Sequence, residues 1–283
     1  MPFKKIINKA TGAEIDTGTD DEKFATALAI KNSKNVPNVV PSTAGKVMTS
    51  DGIDWISAAA GGGFDPTTTV EIYEDFVSGS TEDGEIGALG WRLSLGVGES
   101  VWGTSGTLGK IGVVRIEAGT TNLNSGRIDL ASGNGVNIIA GNQGNITFIM
   151  NVANVSAAEA YHEYRFGLIK IGLTTGEPER GIFFRALGTG AWFAVTRSNN
   201  IETATDTTIA QSTTYRQFKI ETNAAGTEVK FYIDGILRAT HTTNITTDPI
   251  LPSIGVAVNG GTTTNIAALN IDYMYLKVTG LTR

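Results

Sequence analysis

The sequence predicts an all-β protein: a two-sheet antiparallel jelly-roll sandwich, preceded by a small and mostly non-globular N-terminal region. Three observations lead there. Residues 228–241, EVKFYIDGILRATH, join two strand-like runs through Asp234-Gly235. A two-residue type I′ hairpin favours that dipeptide because both central residues need φ > 0. Beyond residue 66, short strand-like runs alternate with turn clusters such as SGNGVN, AGNQGN and TNAAGT, with no convincing helix between them. Finally, 35 glycines in 283 residues, with 41% hydrophobic and 8% aromatic residues, describe a turn-rich chain still apolar enough to bury a core.

Taken in order, DDEKFATALAIKN (20–32) is the helix-like stretch of the N-terminal part. Asp20 or Asp21 would cap it, and Phe24, Ala27 and Leu28 would share one side with Ile30 or Lys31. One short amphipathic helix cannot bury its stripe alone, so it is expected to pack on the rest of the chain, on a copy of itself or on another protein. Residues 35–57, NVPNVVPSTAGKVMTSDGIDWIS, read as two prolines and then a hairpin: Lys46-Val47-Met48, a Ser50-Asp51-Gly52 turn, and Ile53 to Ile56. AAAGGGFDP (58–66) builds no core, and Pro66 stops any helix. The expected organisation is therefore a mostly non-globular region over 1–57, a linker over 58–66 and a sandwich over 67–283. Strands are predicted at 70–77, 89–95, 111–117, 126–131, 145–152, 163–171, 181–186, 191–196, 214–222, 228–233, 236–241, 253–258 and 267–278. ITFIMNV (146–152) alternates clearly, with Ile146, Phe148, Met150 and Val152 on one face.

A formal net charge of −6 argues against a general nucleic-acid binder, which needs a basic surface to displace counterions. There is no cysteine for a disulfide or a thiolate metal site. No run approaches membrane-spanning length and the start lacks an apolar signal region, so the expectation is synthesis in a cytoplasm without membrane insertion.

Four pieces, in order, resemble the concanavalin A-like lectin/glucanase superfamily over about 64–280. They are IYEDF with Asp75 and Phe76, Trp91 in GWRLS, the VKFYIDG hairpin, and Ile271-Asp272-Tyr273 on the closing strand. The N-terminal part is similar to another class. Gly45-Lys46-Val47-Met48-Thr49-Ser50-Asp51-Gly52 with Trp55 resembles short repeats of bacteriophage tail fibres and other virion appendages. That resemblance implies a structural virion protein, a tail or head fibre or decoration assembled in a host bacterial cytoplasm. It also implies a homotrimer, contacts with other virion proteins through the N-terminal region, and a projecting lectin-like domain for adhesion to a host-surface glycan. The competing readings are a carbohydrate-binding module and a polysaccharide depolymerase.

The glucanases of the resembled superfamily carry Glu-x-Asp-x-(x)-Glu on one strand, so that acid and nucleophile flank one bond. No such motif occurs between 64 and 283, and Glu14-Ile15-Asp16 offers only its first half, outside the sandwich. The expectation is no enzyme, no cofactor and no metal. The two histidines, His162 and His241, read as a surface residue and a strand-edge residue rather than ligands. Sugar binding uses flat aromatic faces and planar polar groups, which selects Trp192, Arg185 and Tyr161 as candidate ligand contacts, provided Phe193 and Val195 face the core and Trp192 faces away. Phe24, Leu28, Val39, Val40 and Trp55 are the candidate oligomer and virion contacts, being apolar groups that their own segment cannot bury.

Overall fold

Alternation and turn chemistry build two sheets in the computed structural model. It describes residues 67–76, 85–95, 100–105, 112–130, 138–141, 144–155, 158–170 and 177–281, together with the strand residues 9–10, 24–25, 46–50 and 55–59. The chain divides into two compact units, Met1–Asp65 and Pro66–Arg283.

In the first unit β1 (Lys9–Ala10) pairs in parallel with β2 (Phe24–Ala25), and β3 (Lys46–Ser50) pairs antiparallel with β4 (Trp55–Ala59). Phe24 thus lies on a short strand, which corrects the helix expected over 20–32 at that position. Trp55 opens β4 opposite Ser50, and β4 runs to Ala59, into the stretch read as linker. Leu28, Val39 and Val40 lie outside the described residues.

The second unit is an all-β antiparallel sandwich with no helix among the described residues. Its strands are β5 (Thr69–Glu74), β6 (Glu85–Ile86), β7 (Trp91–Leu95), β8 (Ser100–Ser105), β9 (Gly112–Ala118), β10 (Ser125–Leu130), β11 (Asn145–Asn154), β12 (His162–Ile169), β13 (Gly181–Leu187), β14 (Ala191–Ser198), β15 (Ile201–Ala210), β16 (Arg216–Thr222), β17 (Val229–Ile233), β18 (Ile236–His241), β19 (Leu251–Val258) and β20 (Ala267–Thr279). Sheet I runs β15-β14-β13-β12-β19-β10-β7-β6; sheet II runs β18-β17-β16-β11-β20-β9-β8, with β5 also on β20.

The inner faces meet in one apolar core. Phe218 of sheet II inserts among Phe166, Phe184 and Trp192 of sheet I, with ring centroids 4.9, 5.0 and 5.1 Å away and edge-to-face geometry. Strand β20 changes face midway. Its register on β11 shifts between Asn151 and Val152, leaving Asp272 as an extra residue. Ile271 and Met274 therefore both point inward, while Tyr273 and Tyr275 point outward. Before this bulge β20 pairs with β9, and after it with β5.

Asp234 and Gly235 have φ of 52° and 77°, and Ile233 pairs with Ile236 and Tyr232 with Leu237, as the hairpin reading required. A bulge at Arg238 then moves Ala239 and His241 to the inner face, leaving Ile236 and Leu237 exposed. Ile236 shares the face of Ile233, its direct partner, as expected, whereas Ala239 lies opposite Phe231, which corrects the reading that grouped Ala239 with Tyr232 and Leu237.

Candidate functional site

Strands β12 to β15 carry a continuous ionic ladder on the outer face of sheet I. Arg165 and Arg185 lie directly opposite each other on β12 and β13. Like charges in that position repel unless something stands between them. Glu177, just before β13, supplies it: one carboxylate oxygen accepts from Arg165 at 3.2 Å and from Arg185 at 2.9 Å. Arg165 also donates to Glu163 (2.8 Å), whose other oxygen accepts from Asn259 (3.0 Å). Arg185 reaches Glu202 on β15 with both terminal nitrogens at 3.1 Å, and Arg197 joins the same carboxylate at 2.8 Å. The planar guanidinium makes that two-point contact geometrically specific.

Burial and pairing act against each other here. Burial alone would lower the Arg185 pKa, but Glu202 and Glu177 outweigh it and raise it. Burial would raise Glu202, but Arg185 and Arg197 hold its carboxyl below the usual range. Arg165 and Arg185 are 8% and 7% exposed, and each keeps a buried Nε–H without a hydrogen-bond partner. So do the second oxygen of Glu177 and Oδ1 of Asp129, whose other oxygen holds Arg127 Nε at 2.6 Å on β10. Strand β19 lies between β10 and β12 and presents the small residues Ser253, Gly255 and Ala257 in register with them. A Cβ built on Gly255 would meet nothing nearer than Arg127 Cγ and Gly126 O, both at 3.9 Å. The result is a strip of small residues flanked by charged side chains whose remaining unpaired atoms are themselves buried.

The three residues selected from sequence do not converge. Arg185 belongs to the ladder. Trp192 is 2% exposed in the core, against Tyr164, Phe166 and Phe218. This corrects its reading as a ligand contact. Both faces of β14 are apolar, so alternation alone could not tell which one looks inward. Trp192, Ala194 and Thr196 do, while Phe193 and Val195 pack with Ile169 and Phe183 in a small cluster on the outer face. Tyr161 is half exposed, its ring over Gly260 and Gly261, four residues from Arg165 and so about 13 Å along the strand.

Both histidines are buried, which corrects the surface reading of His162; His241 does end the edge strand β18, as expected, but its side chain turns inward. His162 Nδ1 accepts from the Glu159 N–H (3.2 Å) and the Tyr164 hydroxyl (2.9 Å), and Nε2–H donates to the Asn265 carbonyl (3.0 Å). Burial pushes the Tyr164 phenol up to about 12. His241, on the edge strand of sheet II, reaches Thr196 and Thr205 of sheet I at 3.0 and 2.9 Å. Thr196 donates its proton to the Thr243 carbonyl, so His241 Nδ1–H donates to Thr196 and Nε2 accepts from Thr205. Burial lowers the His241 pKa. Among the described residues, no group of three or more His, Cys, Asp or Glu side chains could hold a metal ion, and no helix is long and apolar enough to cross a membrane.

An antiparallel jelly-roll sandwich with a charged sheet face is thus the class of protein in hand. The chain belongs to the family described as SO2946-like, C-terminal domain, whose model matches residues 109–275. Among solved structures it is similar to the protein of unknown function SO2946 from Shewanella oneidensis MR-1, with TM-score 0.56 and 16% identity, covering 77% of this chain and 90% of that one. More distantly it is similar to the Bacillus licheniformis β-glucanase (TM-score 0.48, 15% identity, 74% and 97% covered). The endo-β-1,4-glucuronan lyase of the fungus Trichoderma reesei gives TM-score 0.49 and 10% identity, with 75% and 95% covered. The sequence matches no curated protein.

Proposed function

We propose that the chain is a structural protein of a bacteriophage virion, a fibre or decoration, that trimerises and attaches to the particle through residues 1–57 and presents the sandwich to the host surface. The observation that carries this reading is the Gly45–Trp55 pattern. Its two halves pair as the β3–β4 hairpin, in a compact unit separate from the sandwich. The phage reading thus rests on residues that the family match, which begins at 109, does not reach.

Within this reading the sandwich binds rather than cuts. Glu163 and Glu177 are carboxylates close together on the charged face, but Arg165 Nη2 sits between them at 2.8 and 3.2 Å. A scissile bond would need that space, and both acids are already engaged.

Two measurements test this reading. Light scattering on the full chain should give three times the single-chain mass, and residues 67–283 alone should give a single-chain mass. Mass spectrometry of particles purified from a lysate of the producing cells should find the chain co-sedimenting with capsids. A single-chain mass for the full protein sinks the trimer, and absence from the particles sinks the virion assignment.

A further inference from the structure

The outer face of sheet II carries a second arrangement, unrelated to the ionic ladder. Strand register lines up Tyr73, Tyr275, Ile149, Lys219 and Tyr232 across β5, β20, β11, β16 and β17. The next row along the strands is Glu71, Lys277, Thr147, Glu221 and Lys230. Tyr73 is 59% exposed and stacks on Tyr273, with centroids 6.1 Å apart and planes 24° from parallel. The bulge at Asp272 is what turns Tyr273 and Tyr275 outward.

Polar groups fix the tyrosines in place. The Tyr275 hydroxyl donates to Glu71 (3.1 Å), Gln217 donates to the Tyr273 hydroxyl (2.8 Å), and Lys219 Nζ lies 4.1 Å from the Tyr232 ring centroid. Beside them opens a groove of about 310 Å³ lined by Asn145, Thr147, Glu221, Asn223, Glu228 and Lys230. That volume is at the lower end for small-molecule sites.

We infer that this face is a binding site for a neutral oligosaccharide, its sugar rings lying on Tyr73 and Tyr275 and its hydroxyls bonding the amides and carboxylates of the groove. Charge selects the class. Glu71, Glu221 and Glu228 are each paired with a lysine, Lys277, Lys219 and Lys230, and Asp75 and Asp272 near Tyr73 add negative charge, so an anionic ligand is disfavoured. These pairs are partly exposed and individually weak, so sugar hydroxyls can share them at little cost. Tyr73 is exposed and stacks on Tyr273, while the half-buried Tyr273 and Tyr275 are held by Gln217 and Glu71, so the rings offer apolar area with little entropy to lose. Five strands at about 4.8 Å put Tyr73 and Tyr232 roughly 19 Å apart, the span of a short oligosaccharide rather than one sugar. The inference does not depend on the virion reading.

Calorimetric titration of the full chain with cellohexaose, laminarihexaose and maltohexaose tests it. At least one should bind, Tyr73→Ala and Asn145→Ala should each weaken it tenfold or more, and Tyr73→Phe should keep it. Both positions are exposed, so unchanged thermal melting would show that the variants fold. No binding by any of the three sugars overturns the inference. So does binding lost in Arg165→Ala but kept in Tyr73→Ala, which would move the ligand to sheet I. Concentration-dependent association abolished by Tyr73→Ala would assign the face to a second copy instead.

Discussion

His241 shows how a residue's partners decide its chemistry. It joins the edge strand of sheet II to β14 and β15 of sheet I through Thr196 and Thr205, and burial lowers its pKa below the usual 6.5. The unfolded chain therefore binds a proton at a pH where the folded chain does not. This stabilisation is complete above about pH 6.5 and is lost as pH falls through the lowered folded pKa. Urea midpoints should drop between pH 7 and pH 5, and His241→Gln should flatten that slope while leaving the later loss below about pH 4.5, where the paired glutamates protonate. An unchanged slope in the variant refutes the assignment. Trp192 makes the opposite point. Enclosed by Tyr164, Phe166 and Phe218, it belongs to stability, and Trp192→Ala should cost about 3–5 kcal/mol in denaturant unfolding. Normal stability with lost ligand binding would contradict the core placement. Its burial could not be read from the sequence because β14 has two apolar faces, whereas Arg185 could be singled out as a planar charged group. Its partners Glu177 and Glu202 could not, since only the folded chain brings them to it.

Among elements, those with a strong turn or a clean alternation were legible, and those without were not. The β17–β18 hairpin followed from Asp234-Gly235, and β11 from its four inward apolar residues. Strand β15, IETATDTTIA, went unseen because it has almost no apolar period: it is a Thr-rich edge strand, mostly exposed or half-buried. Strand β8 was missed for a related reason, since glycine interrupts SVWGTS. Bulges at Arg238 and Asp272 were equally invisible, and each reverses which face follows. The hairpin offers a clean measurement. A Cβ on Gly235 would meet nothing within 4 Å, so Gly235→Ala should lose only the backbone preference at φ 77°, about 1–2 kcal/mol. A much larger loss would mean that the turn packs against something else.

For the whole molecule, the sandwich and its approximate strand order were readable because each piece has a local signature. The pairing of two eight-stranded sheets depends on contacts far apart in sequence, as when Phe218 meets Phe166, Phe184 and Trp192. Two faces with different chemistry then point in opposite directions, a largely buried ionic ladder on sheet I and a row of tyrosines on sheet II, of which Tyr73 is the exposed one. Strand β15 has a consequence for crowding. A ten-residue strand at the border of a sheet is an open template onto which a neighbouring chain could add its own. Here its register on β14 slips between Ala191 and Phe193, Thr208 takes a φ of 61°, and the Asp206 carboxylate caps the Thr208 N–H at 2.7 Å. A kinked border with one amide already engaged is a poor template. Copies packed side by side at high local density are kept from fusing along that border into a shared sheet. The domain can be displayed densely without becoming the seed of a fibril.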